Sequence, residues 1–140
     1  MRREWLYYTF FSAIGLCVLL ALAGMIWAAY PRPEVVSLGP LSQFPPQSPP
    51  YAPYVVRTDK ATLYIINIGT DLIVLDGRST TENRCNVKWV PTNDRYEDPC
   101  CGSKFTLEGV YITGRATRDL DRYGYTIKND EVWTSYPTLG

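Results

Sequence analysis

The chain has 140 residues, and its 14 basic and 14 acidic side chains cancel to a formal net charge of zero. Without a basic stripe there is no electrostatic footprint for nucleic acid. Without a single histidine, the Ser-His-Asp and Cys-His catalytic sets, histidine-held haem and Cys₂His₂ metal sites are excluded.

Residues Leu6 to Ala29 are 24 consecutive uncharged, mostly apolar positions. As an α-helix with a rise of ~1.5 Å per residue they span about 36 Å, enough to cross a hydrocarbon layer of ~30 Å with some tilt. Trp5, Tyr7 and Tyr8 at one end and Trp27 and Tyr30 at the other stand where interfacial aromatic belts form. A cleaved export signal has a shorter apolar region and a small-residue cleavage site. This run ends in Trp-Ala-Ala-Tyr-Pro, so residues 1–30 are expected to be a retained single-pass anchor in the inner (cytoplasmic) membrane. Arg2 and Arg3 place the N-terminus in the cytoplasm and the chain beyond Pro31 on the periplasmic, outer side. The start RREWLYY also has the form of a twin-arginine export signal.

Eight of the 23 residues from 31 to 53 are proline. Such a segment is expected to run as an extended, semi-rigid arm. It is either a spacer or a strap lying in a groove of a neighbouring subunit, the latter because Val35, Val36, Leu38, Leu41 and Phe44 are wasteful on a free linker.

From Tyr54 to the end, residues 54–140, the pattern is β. ATLYIINI (61–68) and DLIVLD (71–76) flank Gly69-Thr70, and YGYTIK and EVWTSY flank Asn129-Asp130; both are hairpin signals. NVKWV (86–90) and VYIT (110–113) alternate. No stretch beyond residue 31 has helical periodicity. The expected fold class is all-β, a small antiparallel sandwich or barrel of seven or eight strands, of a size that benefits from a covalent staple.

Cys17 lies in the apolar helix as a small filler, and Cys85, Cys100 and Cys101 lie in the β domain. On the outer side these three can oxidise, but three is odd and leaves one thiol over. The 15 tyrosines and tryptophans read as interface and sheet packing, and the carboxylates form no general acid/base pair.

Residues 85–125, CNVKWVPTNDRYEDPCCGSKFTLEGVYITGRATRDLDRYGY, resemble the cluster-binding half of the Rieske iron–sulfur proteins of cytochrome bc-type complexes. That family has two boxes, C-x-H-x-G-C and C-x-C-H-G-S, in which one Cys and one His of each box hold a [2Fe–2S] cluster and the remaining cysteines form a disulfide. Asp98-Pro99-Cys100-Cys101-Gly102-Ser103 matches the second box without a gap, and Cys85 falls on the last cysteine of the first. Trp89, Pro91 and Arg95 match residues common in bacterial members, and residues 104–123 match the hairpin, Gly-Pro-Ala and Leu-x-x-Tyr run. The likeness is strong over 85–123 and extends in outline over 54–134.

The resemblance implies a Rieske-like fold whose four ligand positions are Thr80, Glu82, Asp98 and Cys101, none of them the family's residue. The glycine before Cys85 is Arg84, and the proline of Gly-Pro-Ala is Arg115. A Cys85–Cys100 disulfide is implied, with a Cys85–Cys101 exchange left open and Cys101 buried in an apolar pocket. Arg84 and Arg115 are expected to pair with Glu82 and Asp98 in the vacated space. No metal, no other cofactor and no catalysis are expected. The implied role is an accessory subunit of a membrane electron-transfer complex, respiratory or photosynthetic, whose other subunits are its partners. An electron carrier with an unusual site and a free-standing envelope assembly factor are the alternatives.

Overall fold

The computed structural model describes residues 2–30 and 33–136, with side chains from Tyr7 onward. The expectations on the Trp5 side chain, on 31–32 and on 137–140 lie outside the described residues.

Helix α1 covers Arg2–Ala29. Its segment Tyr7–Ala29 has a mean hydropathy of 2.3. It is apolar on every side, which is the composition of a lipid-facing span rather than of an amphipathic surface helix. Tyr7, Tyr8, Trp27 and Tyr30 are all exposed at its two ends.

Among the described residues the folded domain contains eleven strands: β1 (Glu34–Pro40), β2 (Tyr54–Arg57), β3 (Thr62–Asn67), β4 (Leu72–Asp76), β5 (Lys88–Val90), β6 (Arg95–Glu97), β7 (Lys104–Phe105), β8 (Tyr111–Thr113), β9 (Arg122–Tyr123), β10 (Tyr125–Lys128) and β11 (Glu131–Tyr136). They form three antiparallel sheets, ordered β1-β11-β10, β2-β3-β4-β9 and β5-β6-β7-β8. The fold is therefore all-β. The turns at Gly69-Thr70 and Asn129-Asp130 join β3 to β4 and β10 to β11, with Asn129 and Asp130 both at positive φ.

β3 and β4 explain why their sequence is apolar without alternation. Successive side chains point to opposite faces, and here both faces are covered. Tyr64, Ile66, Ile73 and Leu75 join one core with Val87, Tyr96, Phe105, Ala116 and Leu120. Leu63, Ile65, Leu72 and Val74 join a second with Leu38, Phe44, Tyr123, Val132 and Tyr136. The hairpin is the shared wall of two cores.

The arm expected over 31–53 is corrected in its first half. Residues 34–44 are part of the domain, because their apolar side chains have a sheet of their own to cover. Glu34 pairs with Tyr136 and Pro40 with Glu131, and the register slips between Ser37 and Gly39. Within that slip Leu38 is buried in the second core. A short 3₁₀ turn at Leu41–Gln43 follows, its entry fixed by the Leu41 N–H donating to the Asp130 carbonyl. Phe44 closes the core, and its carbonyl accepts a hydrogen bond from the Asn67 side chain at 2.6 Å. Residues 45–53 lack regular structure.

Candidate functional site

Three loops converge where β4, β6 and β8 end. The first, 77–87, follows Asp76. Gly77 donates to the Thr62 carbonyl, Ser79 to that of Cys85, and Val87 to that of Gly77, so the loop folds back on itself before β5. Its tip is a turn from Thr81 to Arg84, with Arg84 at φ 45°.

The second loop, 98–103, is held by Asp98. Its Oδ1 accepts the backbone N–H groups of Cys100 at 2.8 Å and Cys101 at 3.3 Å, while its own N–H donates to the Ser103 carbonyl. This is the local turn that aspartate forms readily. The side chain is buried, and among the described residues its Oδ2 has no hydrogen-bond partner. A buried polar atom without a partner costs about 1–3 kcal/mol. The hydroxyls of Ser79 and Thr81 are buried and unpartnered in the same way.

The third loop, 114–118, packs on the second. Ser103 Oγ accepts the N–H groups of Arg115 at 3.0 Å and Ala116 at 2.9 Å. Thr80 Oγ1 donates to the Arg118 carbonyl at 2.6 Å, tying the first loop to the third. A disulfide between Cys85 and Cys100, with Cα atoms 6.3 Å apart, ties the first to the second.

Between the first and third loops lies a cavity of about 250 Å³, lined by Thr80, Thr81, Glu82, Asn83, Cys101, Arg115 and Thr117. It gathers three of the four positions that the resemblance sets against the cluster ligands, called ligand-equivalent below. Asp98, the fourth, is not among the lining residues. Cys101 is a free, half-buried thiol, and its surroundings are polar, a correction to the apolar pocket expected for it.

The expected ion pairs are corrected too. Arg84 reaches Asp121 at 3.5 Å and Asp76 at 3.8 Å, rather than Glu82 or Asp98. Asp76 is a fully buried carboxylate at the end of β4, and it draws the cations. Arg78 Nε lies 3.0 Å from each of its oxygens and Arg78 Nη2 lies 2.6 Å from Oδ2, while the Tyr123 hydroxyl donates to Oδ2 at 2.7 Å. The hydrogen bond to Asp76 holds the Arg78 guanidinium further above its ordinary range, and burial, then the Asp76 carboxylate, pushes the Tyr123 phenol up. Asp121 also pairs with Arg118. Arg115 is exposed and forms no ion pair among the described residues. The Asp76 network was missed in the sequence, although a lone carboxylate ending the run LIVLD is the kind of charge that must find a buried partner.

No family model matches the chain. In sequence it is 31% identical over 51 residues to the protein described as cytochrome b6-f complex iron–sulfur subunit 2 in Trichormus variabilis and in a Nostoc species. That match spans 36% of this chain and 29% of each relative, so less than a third of the relatives' length is covered. Among solved structures, it is similar to the plasma membrane Rieske protein PetC3 of the cyanobacterium Synechocystis, with a TM-score of 0.52 and 20% identity over 72% of this chain and 99% of that one. A ferredoxin of Sphingomonas yanoikuyae superposes with a TM-score of 0.50 and 19% identity over 74% of this chain and all of that one. The chain has the Rieske-type β fold, preceded by one helix long and apolar enough to cross a membrane. Over part of its length its sequence is similar to the iron–sulfur subunit of cytochrome b6-f complexes.

The donor chemistry at the site does not fit the cluster that this fold suggests. A Rieske centre takes two thiolates and two imidazoles. Here the equivalent positions offer a hydroxyl, two carboxylates and one thiol. Thr80 spends its proton on Arg118, Asp98 gives Oδ1 to backbone N–H groups, and the sulfurs of Cys85 and Cys100 are bonded to each other.

Proposed function

We propose that this chain is a non-catalytic accessory subunit of a bacterial membrane electron-transfer complex, respiratory or photosynthetic, anchored by α1 with its N-terminus in the cytoplasm. Its Rieske-like domain stands on the outer face and serves by shape and surface, without an iron–sulfur cluster. The observation that carries this reading is the loop cluster itself. The inter-loop disulfide, the Ser103 bridge and the Gly114 turn are present, while the positions that would grip iron hold Thr80, Glu82, Asp98 and Cys101. Such a scaffold keeps a docking surface independently of the redox centre.

Two measurements test it. Iron and acid-labile sulfide analysis of the full chain, purified in mild detergent, is expected to give no stoichiometric iron. Tagged chain is expected to co-migrate with a cytochrome-containing complex on native gels. Stoichiometric iron with a Rieske electron paramagnetic resonance signal would replace this reading with that of an electron carrier. A chain that migrates alone beside intact complexes would favour the free-standing envelope factor.

A further inference from the structure

The site holds a second grouping of donors, which shares only Asp98 with the four ligand-equivalent positions. The sulfurs of Cys85 and Cys100 and a carboxylate oxygen of Asp98 all lie within 4.8 Å of one another. Asp98 is only 2% exposed, and its Oδ2 has no hydrogen-bond partner among the described residues. A buried carboxylate that keeps one oxygen without a partner is in an uncompensated position. Cys100 is an exposed residue and Cys85 a half-buried one.

We propose that reduction of the Cys85–Cys100 disulfide converts this corner into a binding site for one zinc-like divalent cation, with Cys85 Sγ, Cys100 Sγ and Asp98 as its protein ligands. A dithiol reductant supplies two electrons and two protons. The Cys85–Cys100 bond breaks, two thiols form, and the reductant leaves as its own disulfide. The cation then displaces both thiol protons to solvent and draws in the Asp98 carboxylate, with water in the fourth position. Two thiolates and a carboxylate suit a borderline-soft ion that accepts tetrahedral geometry, and they disfavour magnesium or calcium. Ligands ~2.0–2.3 Å from such an ion stand about 3.3–3.8 Å apart, so the freed sulfurs part and the Asp98 carboxylate, already within 4.8 Å of both, adjusts its side chain to meet the ion. Meanwhile the Asp98 Oδ1 bonds to Cys100 and Cys101 hold the loop in place. The ion thus replaces one tie between the first and second loops with another, and the corner stays closed in both redox states.

The test uses the full chain in detergent, metal-free, either oxidised or reduced with dithiothreitol that is then removed anaerobically. Cobalt(II) is titrated as a spectroscopic probe, followed by displacement with zinc. The reduced chain is expected to take up one cobalt with thiolate-to-metal charge-transfer absorption and the strong d–d bands of a tetrahedral ion, and the oxidised chain none. Cys85→Ser and Cys100→Ser are each expected to weaken uptake by ~100-fold or more and Asp98→Asn by ~10-fold or more, with Cys101→Ser within ~3-fold of wild type. The Asp98 arm separates a built site from loose thiols, since an unfolded reduced chain would bind cobalt without regard to residue 98. Equal uptake by both redox forms, no uptake by the reduced form, indifference to Asp98→Asn, or a loss in Cys101→Ser equal to that in Cys100→Ser would each overturn the proposal.

Discussion

A Cβ placed on Gly114 would stand 2.3 Å from the Cα of Ser103. Gly114 also has a φ of +111°, a conformation that only glycine adopts without strain. Two independent restrictions therefore act on the one residue that lets the third loop lie against the second. Gly114→Ala is expected to lower unfolding free energy by ~3 kcal/mol or more. Gly102, at φ +69° with nothing within 4 Å of its built Cβ, carries only the backbone cost, and Gly102→Ala should lose ~1 kcal/mol. Urea unfolding of the two variants side by side checks the contrast.

The Cys85–Cys100 link closes a sequence separation of 15 residues. Replacing both cysteines by alanine is expected to cost about 3 kcal/mol through the freed unfolded chain. Thermal melts under oxidising conditions read this as a fall in the midpoint. A loss restricted to the small sheet, seen as faster amide exchange in β5–β8 than in β3–β4, would locate it.

Leu38 separates two readings of the segment after the helix. In a spacer its truncation would be silent. Buried in the second core, Leu38→Ala is expected to destabilise by ~2–5 kcal/mol, whereas Val35→Ala on the exposed face of the same strand stays within ~0.5 kcal/mol. Denaturant midpoints at constant slope are the measurement.

The ion network around Asp76 should be sharply uneven. Arg78 covers a carboxylate that is 0% exposed, and Arg78→Ala leaves that charge short of its closest cation, at a cost of ~3 kcal/mol or more. Arg84 is 3.8 Å away and its side chain is 37% exposed, so Arg84→Ala should cost under ~1 kcal/mol. A double-mutant cycle with Asp76→Asn is expected to give strong coupling to residue 78 and weak coupling to residue 84.

High pH attacks the buried phenols, of which Tyr123 belongs to this network. Burial holds the phenols of Tyr64, Tyr96 and Tyr123 above their ordinary range. The unfolded chain ionises its tyrosines near pH ~10, while the folded state keeps these three protonated. Their contribution is therefore complete below ~10 and drains away as pH rises beyond it toward the folded values. Melting temperature is expected to hold between pH ~8 and ~9.5 and then fall. Tyr123→Phe should flatten the fall while lowering the plateau, because it also removes a donor to Asp76.

Hairpins could be read locally, because Gly69-Thr70 and Asn129-Asp130 carry their turn chemistry in adjacent residues. The Rieske-like outline was legible from the second box and the run after it. The segment 34–44 was not, for a physical reason. Its prolines speak for an extended chain, and an extended chain is also what a strand is; its partner, β11, lies some hundred residues away. The destination of Arg84 was hidden in the same manner. Spacing put it next to Glu82, but the pull comes from Asp76 and Asp121, which only the fold brings near. Strands β6 and β7, of three and two residues, are too short for alternation to announce.

The pairing of β1 with β11 sets a timetable for synthesis. Among the described residues the first strand after the helix is hydrogen-bonded to the last strand alone, so a ribosome must have released residue 136 before that sheet can close. Until then Leu38 and Phe44 have no finished core to enter, although the helix has long since emerged. Chaperone contact or aggregation will fall on that interval, while an apolar strand stands unpaired.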